Sequence, residues 1–103
     1  MPLLAMTRDD ALSVLVNARA ELVRRGVRRA ALFGSTVRGE ARQGSDVDVL
    51  LEFEPGAEIG VYEYVSLERF IREQFPVPVD VVNRATLKAH VRPAAERDAL
   101  YAF

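Results

Sequence analysis

The stretch from Leu32 to Phe53, LFGSTVRGEARQGSDVDVLLEF, limits the fold more than any other part of the chain. It reads as strand, Gly-Ser turn, short helix, loop and second strand. Gly34 follows the apolar run Ala30-Ala31-Leu32-Phe33 and can turn the chain tightly while letting a ligand approach the backbone. Ser35 and Thr36 then fall where a helix begins, and unpaired N–H groups at a helix start favour an anion. Arg38, one turn on, can reach the same anion, and Gly39 lets the chain leave. This is a cradle for phosphate but not a P-loop: the G-x-x-x-x-G-K-[ST] pattern is absent and no lysine is near.

The second half of the stretch is S-D-V-D-V-L-L. Strand side chains at i and i+2 share a face, so Asp46 and Asp48 project together while Val47, Val49 and Leu51 project to the other side. Carboxylates are depleted in strands and costly to bury without a positive partner, and two side by side repel. Mg²⁺ answers both problems, because it takes oxygen ligands and commonly joins one or two carboxylates to a substrate's phosphates. A third acid follows in Val77-Pro78-Val79-Asp80-Val81-Val82, which reads as another strand with Asp80 facing opposite to Val79 and Val81. Pairing of this strand with the one at Asp46–Phe53 would put Asp46, Asp48 and Asp80 on one face. Two metal ions ~4 Å apart could then clamp the attacking and leaving oxygens of an in-line displacement.

Taken in order, G-S-x-x-R-G (Gly34, Ser35, Arg38, Gly39), S-D-x-D (Ser45, Asp46, Asp48) and an isolated Asp80 in a β-run resemble the DNA polymerase β-type nucleotidyltransferases. The short length and the E-F-E-P-G continuation resemble their minimal nucleotidyltransferase (MNT) branch. The resemblance implies an α/β (α+β) fold: a small mixed β-sheet flanked by helices, in a single domain over residues 1–103. It also implies catalytic and metal-binding roles for Asp46, Asp48 and Asp80, and contacts to the phosphates of ATP from Gly34, Ser35, Thr36 and Arg38. Two Mg²⁺ ions are the implied cofactors. MNT proteins pair with HEPN-domain ribonuclease toxins, serve as antitoxins and transfer AMP to a toxin tyrosine, so a HEPN partner in a hetero-oligomer is the implied acceptor. Two other functions share these motifs: an antitoxin that acts by occlusion alone, and a transferase for small molecules of the aminoglycoside type. Relatives often carry aromatic and Ala residues where Thr36 and Val37 stand, a departure that removes no metal ligand.

The remaining sequence frames this centre. Its 103 residues contain no cysteine, so no disulfide framework exists and one compact domain is expected. Fourteen basic against fifteen acidic residues leave no net field that would argue for nucleic acid or membrane binding. The apolar piece at residues 2–6 is too short for a membrane span, and a soluble cytoplasmic protein is expected. Thr7 is the predicted N-cap of a first helix carrying Leu12, Leu15, Val16, Leu22 and Val23, with Gly26 at its end. Arg24, Arg25, Arg28 and Arg29 read as charges solvating that helix end. A second helix is predicted from Val61 to Gln74, in which Val61, Tyr64, Val65, Leu67, Phe70, Ile71 and Gln74 follow a helical period; Tyr62 and Tyr64 could contact a base or a partner, but aromatic residues on such a helix are more often core. Pro76 and Pro78 put the third strand near a sheet edge. A helix from Asn83 to Val91 is predicted, with Pro93 interrupting before a last helical piece. His90, the lone histidine, reads as a surface or packing residue, and Leu100–Phe103 as a short strand or a docking tail.

Overall fold

A computed structural model of the chain describes residues 6–34, 37, 46–87 and 92–103. Helix α1 (Arg8–Asn17) is started by Thr7, whose Oγ1 accepts the Asp10 N–H at 3.1 Å, with Asp9 and Asp10 in the favourable first turn. The single predicted helix is in fact two. Ala18 ends α1 and begins α2 (Arg19–Arg24), with no glycine or proline to announce the break. Gly26, at φ +97°, then turns the chain into strand β1 (Val27–Phe33).

Strand β2 (Val47–Phe53) runs antiparallel to β1, and a bulge at Arg28 keeps both Val27 and Ala30 in the core. Helix α3 (Val61–Gln74) carries the chain over to β3 (Val79–Asn83), which pairs parallel to β2 as a strand-helix-strand crossover requires. Asn83 caps a 3₁₀ turn at Arg84–Thr86 by accepting the Ala85 N–H at 2.9 Å. Helix α4 (Arg92–Asp98), the predicted last helical piece, has Pro93 in its first turn, where the missing N–H costs nothing; residues 88–91 of the predicted helix before it lie outside the described residues. Strand β4 (Leu100–Tyr101) pairs with β1 and completes the mixed sheet, ordered β3-β2-β1-β4. Leu100–Phe103 thus closes the sheet, with the Ala102 N–H bonded to Ala30 O at 2.8 Å and Phe103 packed against the core.

One face of the sheet carries Ala30, Leu32, Val47, Val49, Leu51, Val79 and Val81, all buried against Leu15, Leu22, Leu67 and Ile71 of α1–α3. At ~25 cal/mol per Å² of apolar surface removed from water, these side chains are the main source of stability. The helix-face prediction for α3 holds at Leu67 and Ile71 and fails at its start. Val61, Tyr62 and Val65 are 78%, 90% and 48% exposed. The arginine cluster serves packing: Arg25 pairs with Glu21, bonds Ser66 Oγ at 3.1 Å and lies 5.0 Å above the Phe70 ring, while Arg29 stacks 3.9 Å above Tyr101. No helix among the described residues is long and apolar enough to cross a membrane.

Candidate active site

Strand alternation sends every second residue of the sheet to the face away from the main core. There Phe33 on β1 lies opposite Asp48 on β2, and Asp48 lies opposite Asp80 on β3. The same face continues through Ala31 and Leu50, both buried, and α4 packs on β1. This face is therefore apolar in its middle, carries Arg29 opposite Glu52 at one end and presents two carboxylates at the other. Val47 and Val49, and Val79 and Val81, bury the opposite side of each strand and fix the register that aims both acids the same way.

Gly34 ends β1 beside this pair, at φ +77°. A Cβ on Gly34 would run into the Asp48 carboxylate, so glycine is needed both for the backbone angle and for the close approach. The turn at Gly34, expected from the sequence to open a phosphate cradle, is thus pressed against the first acid of the pair.

Asp46 directly precedes β2 and is exposed. The backbone after it is anchored, with the Val47 N–H donating to Pro78 O at 2.9 Å. Sequence alternation placed three acids together; the structure brings Asp48 and Asp80 into one row. Among the described residues, no group of three His, Cys, Asp or Glu side chains is gathered to hold a metal ion. Ser35, Thr36, Arg38, Gly39, Ser45 and His90 lie outside the described residues.

Two neighbours were not read from the sequence as part of this site. Arg72 on α3 donates from Nε to Val79 O at 3.4 Å, occupying a backbone acceptor next to Asp80, and pairs with Glu68. Tyr64, packed against the Phe53 ring, has its hydroxyl pKa raised, first by burial and then by the charges of Glu68 and Asp80, against the opposing effect of Arg72. The only signal for Arg72 was the Glu68–Arg72 spacing, which sets two charges on one helix face.

Over residues 12–102 the sequence matches the nucleotidyltransferase domain. The chain belongs to the nucleotidyltransferase domain family. This nucleotidyltransferase is 36% identical over 98 residues to the protein adenylyltransferase MntA of Thermococcus cleftensis, a match covering 93% of this chain and 96% of that protein. A solved structure of a candidate minimal nucleotidyltransferase is 32% identical and superposes with a TM-score of 0.69, over 90% of this chain and 89% of its own. A chain from the complex of tri-AMPylated Shewanella oneidensis HEPN toxin with its MNT antitoxin superposes at 0.61, covering 89% of this chain and 71% of that one. At 14% identity this last likeness speaks to the fold alone. The small mixed sheet with its helices is the polymerase β-like nucleotidyltransferase fold, in its minimal form.

Proposed function

We propose that this nucleotidyltransferase transfers AMP from ATP to a tyrosine of a HEPN-domain toxin and is the antitoxin of that pair, acting in the cytoplasm. The observation that carries the proposal is the row Phe33–Asp48–Asp80 with Gly34 pressed against the Asp48 carboxylate. It is supported by the kinship to an enzyme named as a protein adenylyltransferase.

The donor set fits magnesium: hard oxygen ligands from Asp48 and Asp80, with exposed Asp46 close in sequence to add a third. Bound there, Mg²⁺ would neutralise the charge of the triphosphate and hold it for in-line attack. The backbone turn at Gly34, with Ser35, Thr36 and Arg38 following in sequence, binds the phosphates of ATP. Asp80 is exposed on an edge strand, which leaves it open to an incoming acceptor, and it takes the phenolic proton. In the transfer a bond forms between the tyrosine oxygen and the α-phosphorus, the bond from that phosphorus to the bridging oxygen breaks, and pyrophosphate leaves.

The test is incubation with α-labelled ATP, Mg²⁺ and the HEPN-domain protein. Label should enter the partner with release of pyrophosphate, and Asp48→Ala should remove both. Undiminished labelling by Asp48→Ala would overturn the assignment of the site. Continued protection of cells by Asp46→Ala and Asp48→Ala, with no label transferred at all, would show an antitoxin acting by occlusion.

A further inference from the structure

The chain has three tyrosines, and the fold leaves them in different states. Tyr64 is half-buried against Phe53, and Tyr101 lies in β4 under the Arg29 guanidinium. Tyr62, in the first turn of α3, is 90% exposed. An unburied aromatic of that size has no packing role in the domain.

Tyr62 also lines an open groove of about 450 Å³ with Arg24, Arg25 and Ile59. The two guanidinium groups are held at the groove by Glu21, which Arg25 reaches at 3.0 Å and Arg24 reaches through Nε at 2.7 Å. Glu58 and Glu63 also border it, so the groove is balanced in charge and is no trap for free phosphate. Arg24, Arg25 and Ile59 border the space that a nucleotide joined to the Tyr62 oxygen by a phosphodiester would occupy. The arginines would face the phosphate and Ile59 the base.

The groove and the acid pair are at opposite ends of the sheet. Val27 and Phe53 pair near the groove, whereas Phe33 and Asp48 pair at the site. Six residues of strand separate them, roughly 20 Å, so Tyr62 cannot enter the active site of its own chain.

We infer that Tyr62 is itself an acceptor of the adenylyl group, transferred by the active site of a second copy of this chain. The inference rests on the adenylyl-transfer reading above. The Tyr62 oxygen attacks the α-phosphorus of ATP bound to the other copy, pyrophosphate leaves, and the phenolic proton passes to that copy's Asp80.

The test uses the full chain with α-labelled ATP and Mg²⁺, alone and with the HEPN-domain protein, followed by peptide mapping. Label is expected on the Tyr62 peptide, at a rate per chain that rises with protein concentration, and Tyr62→Phe should lose it while still labelling the partner protein. In a mixture, Tyr62→Phe should label Asp48→Ala chains, because the first supplies the site and the second the phenol. Label on the partner but none on this chain, or on Tyr101 instead, would overturn this inference and leave the adenylyl-transfer reading standing. Label on neither protein would overturn both.

Discussion

Asp48 of β2 and Asp80 of β3 are direct cross-strand neighbours in a parallel pair, two like charges held opposite each other by the valines that flank them. Like charges directly opposite each other on neighbouring strands are destabilising. Asp80→Asn keeps the shape and removes one charge. It should raise stability in divalent-free buffer by about 0.5 kcal/mol, the scale of a cross-strand pair, while abolishing transfer. Urea denaturation beside a labelling assay checks both; loss of stability together with activity would give Asp80 a structural role instead.

Gly34→Ala tests the close approach from the other side. The left-handed backbone costs a residue with a Cβ about 1–2 kcal/mol, and here the new methyl also meets the Asp48 carboxylate. The variant should melt lower and lose nucleotide binding. Gly56→Ala, which shares the positive φ with open space around it, should lose stability and retain binding. Equal binding loss in both would remove the special place of Gly34.

Acid stability should report on Glu21. The hydrogen bond from Arg24 is the largest effect on its carboxyl; burial opposes it, and the Arg25 hydrogen bond and the charges of both arginines add to it, so the pKa falls from 4.5 to about 2. A depressed folded pKa gives stability that is complete above the unfolded value and lost as pH falls through the folded one. Glu21→Gln should therefore flatten the fall in stability between about pH 4.5 and pH 2, and added salt should shrink the difference, since the pair is at the surface. Parallel acid titrations of the two proteins would contradict this.

Much of the architecture was legible in the residues. The apolar runs before Gly34 and after Asp46 became β1 and β2, Thr7 capped α1, and Pro76 and Pro78 marked β3 as an edge strand. The facing of Asp48 and Asp80 followed from two-residue alternation once the strands paired in parallel. What escaped depended on tertiary context. Ala18 breaks a helix that its own propensity would continue, and Tyr62 is exposed where helical spacing alone does not tell core from surface. The meeting of all three acids was expected from alternation alone, but Asp46 stands outside the ladder that aligns the other two.

The central claim is that Asp48, Asp80 and the Gly34 turn together hold a metal-bound nucleotide. It is tested most directly by a crystal structure with Mn²⁺ and a non-hydrolysable ATP analogue. Anomalous density should fall between the Asp48 and Asp80 carboxylates, with the phosphates of the analogue against the Gly34 turn. Nucleotide density at another surface, or manganese bound without either carboxylate, would contradict it.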